Sequence, residues 1–235
     1  MPGDWQTVST TDGDMRCYVA MPDGAAPHPG VVVIQHAGGV DGFIRLMTRR
    51  IAEAGFAAIS PDLYHREAPE SSDDPMTRMG RLRDRNILND VSAAVAYLRT
   101  LDNVSAERIG VTGFCMGGRV AYLIATARDD VAAAVVFYGG NIMRPWGEGP
   151  SPFEGTANIK APVLGLFGNE DGNPSPDDVA KIDAELTKHG KAHEFHSYDG
   201  VGHGFMHDGR PGFRDDVASD AWRRCTAWFD QHLRA

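Results

Sequence analysis

The chain alternates between two spacings of hydrophobic positions, which predict strands and helices in turn. Short apolar runs bounded by glycine, proline or aspartate are typical of buried strands, whereas apolar residues three or four positions apart indicate helices. After a hairpin that turns at 10–14, the sequence predicts strands at 30–35, 56–60, 109–112, 131–138, 162–167 and 192–198, with helices at 43–54, 87–98, from 117, 177–188 and up to 233. This alternation predicts an α/β fold with a mostly parallel sheet, helices on both faces, and ligands bound beyond the carboxyl ends of the strands.

Two segments interrupt the alternation. Residues 65–85 carry many charges of both signs and two prolines, so they form either a mobile rim that carries substrate arginines or only a solvated connection. Residues 139–158 are rich in glycine, proline and aromatic side chains, a composition that disfavours a long helix. We expect these aromatic residues to pack over the domain rather than to contact a substrate.

Composition narrows the class of protein. With 235 residues, of which 42% are hydrophobic, the chain can bury one large core, and we predict a single domain over 1–235. The formal net charge of −9 makes nucleic acid and anionic membranes poor partners. We expect a monomer or small homo-oligomer that binds a small-molecule substrate.

Several features predict a cytoplasmic location. Residues 1–7 lack the charged start and apolar core of a signal peptide. No apolar stretch reaches the roughly 20 residues that a membrane span needs. The three cysteines form no disulfide framework, which agrees with a reducing compartment.

A cysteine lies at the apex of a predicted strand-to-helix turn. The turn is Gly113-Phe114-Cys115-Met116-Gly117-Gly118, directly after an apolar run. Glycines on both sides let strand and helix approach closely and push the apex residue outwards, as at a nucleophile elbow, and the helix N-terminus lowers a thiol pKa. Cys115 is therefore the predicted nucleophile. The alternative is a packing role, as for many free cysteines, and we assign that role to Cys17, in a predicted edge strand, and to Cys225, on the last helix.

An acid and a histidine follow the cysteine in the order that such a site requires. Asp171 comes just after the predicted strand at 162–167, and His203 lies between two glycines after the strand at 192–198. Alone, Asp171 would be a turn-forming acid and His203 a surface residue. Three residues of the required types, each directly after a predicted buried strand, instead indicate a nucleophile, a base and an acid that orients the base.

No cofactor and no metal site is predicted. A dinucleotide-binding turn would need glycine at position 115. His193-Glu194-Phe195-His196 falls one residue short of the zinc-protease motif and lies in a predicted strand. The glycines beside His203 oppose the helix that would bring His203 and His207 onto one metal ion.

Over nearly its whole length the chain resembles the dienelactone hydrolases, the α/β-hydrolases with a cysteine nucleophile. The matching segments are Val31-Val32-Val33-Ile34-Gln35, Ala57-Ala58-Ile59-Ser60-Pro61-Asp62-Leu63-Tyr64, the turn around Cys115, the Asp171 loop and Gly202-His203-Gly204-Phe205. The resemblance implies the α/β-hydrolase fold and a small ester or lactone substrate. It also implies Cys115 as nucleophile, His203 as general base and acid, and Asp171 as the residue that orients the imidazole.

Two positions depart from the family's pattern. His36 stands where members typically carry a glutamate that interacts with the resting thiol, and His207 stands where they commonly carry an arginine that binds a substrate carboxylate. Arg78 and Arg81 are the candidates for a second substrate arginine. These four residues are our candidate substrate contacts. His36 either hydrogen-bonds the sulfur or the substrate or only forms part of the pocket wall.

The predicted reaction is a two-step acyl transfer. The Cys115 thiolate attacks an ester or lactone carbonyl, and the backbone N–H groups of Met116 and Ala37 hold the oxyanion. Water activated by His203 then releases the acyl group from the thioester. The alternative is a thiol-based redox or ligand-binding protein that keeps the hydrolase fold, but the sequence contains no Cys-x-x-Cys pair to support redox cycling.

Overall fold

An eight-stranded sheet lies at the centre of the computed structural model, which describes residues 2–68 and 72–234. The strands in this part of the chain are β1 (Gly3–Thr10), β2 (Gly13–Ala20), β3 (His28–Ile34), β4 (Ala57–Pro61), β5 (Val104–Phe114), β6 (Ala133–Phe137), β7 (Val163–Gly168) and β8 (His193–Tyr198). The helices are α1 (Gly42–Glu53), α2 (Pro75–Arg81), α3 (Asp84–Arg99), α4 (Met116–Ala127), α5 (Pro176–Lys188) and α6 (Asp215–Leu233), with a 3₁₀ turn at Thr156–Asn158. Of the helices described, none has the length and apolar composition to cross a bilayer.

The strand order confirms the predicted α/β architecture. Across the sheet it is β1-β2-β4-β3-β5-β6-β7-β8. The pairs β1/β2 and β2/β4 are antiparallel, and every pair from β4 to β8 is parallel. The N-terminal hairpin therefore extends one side of a parallel sheet.

Helices cover both faces of the sheet, as the alternation of the sequence predicts. In β3, Val32 and Ile34 belong to the core cluster that includes residues of α3, α4 and α5, whereas Val31 and Val33 belong to the cluster that includes residues of α1 and α6. Successive side chains of a strand point to opposite faces. All four of these residues are fully buried, so this half of β3 carries apolar residues at consecutive positions rather than at alternate ones.

The parallel strands end at one edge of the sheet, and the candidate site residues follow their ends. Ala37 comes after β3, Cys115 after β5, Asp171 after β7 and His203 after β8. Carboxyl ends of parallel strands lie at the same edge of a sheet. The topology thus brings together residues that are far apart along the chain.

The prediction that Cys17 lies in an edge strand is wrong. Its strand, β2, lies between β1 and β4, with Cys17 opposite Gln6 on one side and Pro61 on the other. The physical reason is burial, because the second half of β2 is buried whereas β1 is mostly exposed and covers the outer edge of β2. Cys17 itself is fully buried, in agreement with a packing role.

The described residues of the segment at 65–85, which are 65–68 and 72–85, include a helix. Residues 75–81 form α2. The sequence contains a helix-start motif before this helix, although the many charges of the segment suggest a loop. Asp74 caps the helix by accepting hydrogen bonds from the backbone N–H groups of Met76 (3.0 Å) and Thr77 (3.1 Å), and Pro75 occupies the first turn. Aspartate followed by proline is a favourable helix start, because proline has no N–H group to leave unpaired there.

The other irregular segment, 139–158, is held by a buried arginine of α4. Arg119 is fully buried and binds Asp84 at the start of α3 through two nitrogens, at 2.6 and 3.0 Å. It also donates to the carbonyl oxygens of Asn141 (3.2 Å) and Arg144 (2.6 Å), and its guanidinium lies 3.9 Å from the centre of the Trp146 ring. The aromatic side chain thus packs over the domain, as predicted, and the segment is fixed relative to the helix that follows Cys115.

Helix α4 approaches strand β5 and the end of β3 more closely than side chains permit. A Cβ atom on Gly113 would lie 2.1 Å from the carbonyl oxygen of Gly117. A Cβ atom on Gly117 would lie 2.5 Å from the carbonyl oxygens of Ile34 and Gln35. Backbone atoms cannot move aside as a flexible side chain can, so these two positions require glycine.

We expect Gly113→Ala to lower the free energy of unfolding by about 3 kcal/mol, because the added methyl group forces β5 and α4 apart. Denaturation in urea, followed by circular dichroism, measures this loss. Gly42→Ala is the matched control: a Cβ atom there meets nothing within 4 Å, so we expect a change below about 1 kcal/mol. Equal stability of the two variants would contradict the close-approach argument.

Candidate active site

Cys115 occupies the strained apex of the turn between β5 and α4. Its φ angle of 61° lies in the left-handed region, which side chains other than glycine rarely adopt. The residue directly precedes the first turn of α4, where free backbone N–H groups favour a negative charge. Backbone N–H groups of Met116 and Ala37 donate hydrogen bonds to the sulfur. The sulfur therefore lies where a helix terminus and two amides stabilise a thiolate.

A continuous chain of hydrogen bonds runs from the sulfur to a buried carboxylate. His203 is hydrogen-bonded to the Cys115 sulfur, and its Nδ1 lies 2.7 Å from Oδ2 of Asp171. The other carboxylate oxygen, Oδ1, accepts a hydrogen bond of 2.8 Å from the backbone N–H of Asn173. Asp171 is only 6% exposed. The three predicted residues thus meet in the order Cys115, His203, Asp171.

The electrostatics of this chain favour a thiolate beside an imidazolium. Burial opposes ionisation of the Cys115 thiol, but the hydrogen bond and positive charge of His203, together with the two backbone N–H groups, lower its pKa below the ordinary value. Burial likewise opposes protonation of His203, but the hydrogen bonds to Asp171 and Cys115 outweigh it and raise the His203 pKa to about 10. Both shifts favour transfer of the proton from the thiol to the imidazole.

The peptide group of Ala37 is fixed from two sides. The Tyr64 hydroxyl donates a hydrogen bond of 3.0 Å to the Ala37 carbonyl oxygen, and the Gly39 N–H donates one of 2.9 Å to the His36 carbonyl oxygen. Tyr64 is 3% exposed and belongs to the Pro-Asp-Leu-Tyr segment of the sequence. These contacts hold the Ala37 N–H towards the sulfur.

A cavity of about 550 Å³ opens onto Cys115. Its described lining is made of His36, Ala37, Gly38, Pro75, Met76, Met79, Cys115, Met116, Gly140, Asn141, Asp171, Gly172, Asn173, His203 and Arg210. Within this lining, Arg210 is the one arginine or lysine. Arg210 is not among the residues predicted from the sequence, where its only signal is its position in the glycine-rich loop that carries His203.

His36 borders the cavity but is bonded away from the sulfur. Its Nε2 lies 2.8 Å from Oδ2 of Asp41, whose Oδ1 also caps α1 by accepting from the Ile44 N–H at 3.1 Å. Asp41 is not predicted as a partner of His36 from the sequence, because a helix-capping role accounts for an aspartate at that position. The ring of His36 is thus tied to the start of α1 and forms part of the cavity lining.

The other three candidate substrate contacts do not line this cavity in the described structure. Arg78 donates to Glu67 at 2.5 Å, and its guanidinium lies 4.0 Å from the centre of the Tyr64 ring. Arg81 is paired with Asp73 and Glu67. Both arginines border a separate small cavity. The structure therefore does not bring them to the thiol.

His207 lies beside the site rather than in its main cavity. Its ring stacks on Phe43 with 4.7 Å between ring centres. It borders a small neighbouring cavity that Cys115, His203 and Arg210 also line. Among the residues described, no cluster of three histidine, cysteine, aspartate or glutamate side chains has the arrangement of a metal site.

The fold and the residues at its carboxyl edge define an α/β-hydrolase. The solved structure of a "Putative Dienelactone Hydrolase" from Klebsiella pneumoniae superposes with a TM-score of 0.89 and 31% identity, covering 98% of this chain and 99% of that one. The sequence matches the Dienelactone hydrolase family over residues 15–233. The chain belongs to that family, and it is a hydrolase.

Curated relatives agree with this assignment. A "Putative carboxymethylenebutenolidase" of Synechocystis is 36% identical over 97% of this chain and 96% of its own length. A "Probable 2-oxo-3-(5-oxofuran-2-ylidene)propanoate lactonase" of Bradyrhizobium is 31% identical over 98% of this chain and 94% of its own length. Each relative is similar to the chain over nearly its full length.

The lowered thiol pKa has a direct consequence for alkylation. The rate at which iodoacetamide labels a cysteine rises with the thiolate fraction and then reaches a plateau. We expect Cys115 to reach this plateau at a lower pH than a free cysteine thiol, whose pKa is about 8.5. His203→Ala removes the hydrogen bond and the positive charge, so the pKa of the Cys115 thiol rises and the inflection moves to higher pH. Peptide mass spectrometry separates Cys115 from the two buried cysteines. An inflection at the pH of the free thiol, unchanged in His203→Ala, would contradict the assignment.

Proposed function

We propose that the chain hydrolyses small carboxylic esters or lactones by two-step acyl transfer through Cys115. One observation carries the proposal: the sulfur is hydrogen-bonded to an imidazole that is itself held by a buried carboxylate, and two backbone N–H groups converge on the same sulfur. Nucleophile, base, orienting acid and oxyanion donors are the parts that acyl transfer needs.

In the first step, the thiolate attacks the carbonyl carbon. A C–S bond forms, and the carbonyl oxygen becomes an oxyanion that the N–H groups of Ala37 and Met116 receive, since both already point to this region. When the tetrahedral intermediate collapses, the C–O bond of the ester breaks, and the imidazolium of His203 gives its proton to the leaving oxygen. In a lactone, that oxygen stays attached to the acyl group.

In the second step, water releases the acyl group. The thioester sulfur carries no charge, so His203 loses the thiolate that raised its pKa. The imidazole, which gave up its proton in the first step, therefore stays neutral and can act as the general base. The neutral imidazole takes a proton from water while the water oxygen attacks the thioester carbon. The C–S bond then breaks and regenerates the thiolate beside the protonated His203. Asp171 keeps the imidazole in one orientation through both steps.

The substrate class rests on the family and on the cavity. Relatives over nearly the full length are named for a butenolide and a furan-derived lactone, and a cavity of about 550 Å³ admits molecules of that size. We propose that an anionic group on the substrate meets Arg210, because Arg78 and Arg81 are paired elsewhere. His36 lines the same cavity, and His207 lines the small cavity beside it.

The alternative of a thiol redox protein has less support. Cys17 and Cys225 are buried, and burial raises the pKa of each thiol above its ordinary value. A redox cycle within this chain would need one of them to reach Cys115 as a thiolate. Neither lines the cavity at the candidate site within the described structure.

We expect Cys115→Ala and His203→Ala to lower kcat/KM by about a thousandfold or more on p-nitrophenyl acetate and on dihydrocoumarin, a lactone. We expect Asp171→Asn to lower kcat/KM by at least about tenfold, because the imidazole is no longer held in the required tautomer. Steady-state kinetics measures these changes, and circular dichroism verifies the fold.

Cys17→Ala and Cys225→Ala are the matched controls and should retain the chemistry. Near-normal turnover in Cys115→Ala or His203→Ala would refute the proposed mechanism. If kcat/KM fell as far in the two controls as in Cys115→Ala, the substitutions would be acting through the stability of the fold rather than through the chemistry.

A further inference from the structure

Helix α2 presents two chemically different faces. Pro75, Met76 and Met79 line the cavity that contains Cys115, whereas Arg78 and Arg81 line a separate small cavity. Residues three positions apart lie on the same side of a helix, so the two methionines share one face and the two arginines another. The apolar face belongs to the candidate active site.

The methionine face of α2 is only partly covered by protein. None of the residues of α2 is buried, and Met76 is 63% exposed. Met79 is half-buried against the core beside the cavity. An apolar group that entered the cavity would remove part of this methionine surface from water, which favours binding. Methionine side chains are flexible and adapt to groups of different shapes.

The charged face of α2 is already occupied. Arg78 is paired with Glu67 and lies over the Tyr64 ring, and Arg81 is paired with Asp73 and Glu67. A negatively charged group against the methionines would lose its hydration without gaining either cation. The single arginine of the described cavity lining, Arg210, belongs to the loop after His203 rather than to α2.

We propose that Pro75, Met76 and Met79 form a specificity wall for an uncharged alkyl or aryl group of the substrate. The wall continues through Met116 and Ala37 to the nucleophile, since all of these residues line one cavity. The inference rests on the proposed function, because the apolar group is part of the ester or lactone that Cys115 attacks. The preferred substrates are therefore esters or lactones whose apolar part contacts α2.

A series of N-alkyl iodoacetamides tests the wall without requiring turnover. In each labelling reaction the Cys115 thiolate displaces iodide and forms a C–S bond to the acetamide, so only the alkyl chain differs along the series from methyl to hexyl. Each rate is divided by the rate with glutathione to remove intrinsic reactivity. We expect the normalised rate at Cys115 to rise by up to about fourfold for each methylene group that the wall buries.

Met76→Gln with Met79→Gln removes the apolar ends of the wall while keeping side-chain length and helix propensity. The double variant should show a flattened dependence on chain length. Leu46→Gln is the matched control, because Leu46 is the other exposed large apolar side chain of the described residues and borders a different groove. It should keep the parent's dependence.

The same variants are then assayed on p-nitrophenyl esters from acetate to hexanoate. A chain-length dependence that the methionine substitutions flatten and Leu46→Gln preserves supports the wall. An unchanged dependence in the double variant, or a parent that labels and hydrolyses all chain lengths equally, overturns it.

Failure of the wall and failure of the proposed function give different results. Cys115-dependent hydrolysis with no chain-length effect in either assay overturns the wall alone. A labelling dependence that the methionine substitutions flatten, in a protein that hydrolyses no ester or lactone, supports the wall and contradicts the proposed function.

Discussion

The close approach of β5 and α4 is the constraint on which the rest of the site depends. Gly113 admits it because a Cβ atom there would lie 2.1 Å from the Gly117 carbonyl oxygen, and Gly117 likewise lets α4 approach the end of β3. The chain turns from β5 into α4 at Cys115, whose φ is 61°. A residue held in this region costs of order 1–3 kcal/mol, which the surrounding packing must offset. The result is a sulfur atom at the carboxyl edge of the sheet, at the start of a helix. The N–H groups of Ala37 and Met116, and the imidazole of His203, can then converge on it.

Much of this arrangement can be predicted from the sequence, because it depends on periodicity and on order along the chain. Apolar runs identify the parallel strands, and parallel strands place the residues that follow them at one edge. Cys115, Asp171 and His203 each follow such a strand, so their meeting is a consequence of topology. The glycines around Cys115 are equally informative, since few other roles require several small residues at a strand-to-helix turn.

The features that the sequence does not predict depend on contacts between segments that are distant in the chain, or on the orientation of a short helix. Asp84 and Arg119 are 35 positions apart and form a buried pair only after α3 and α4 pack. The position of β2 inside the sheet depends on where the hairpin docks. Arg78 and Arg81 look like substrate arginines in the sequence, but α2 directs its methionines to the cavity instead. His36 pairs with Asp41, but a helix cap already accounts for an aspartate at that position. The loop position of Arg210 in the sequence does not show that its side chain lines the cavity.

The central claim is that Cys115 carries the acyl group during turnover. The most direct test is to mix the protein with p-nitrophenyl butyrate, quench with acid within the first turnover and locate any acyl adduct by mass spectrometry. Acid arrests release of the acyl group, because His203 must be neutral to activate water. The account predicts a butyryl thioester on the peptide that contains Cys115, formed and lost at rates compatible with turnover. A butyryl group on another residue, or turnover without an adduct at any time, would contradict it.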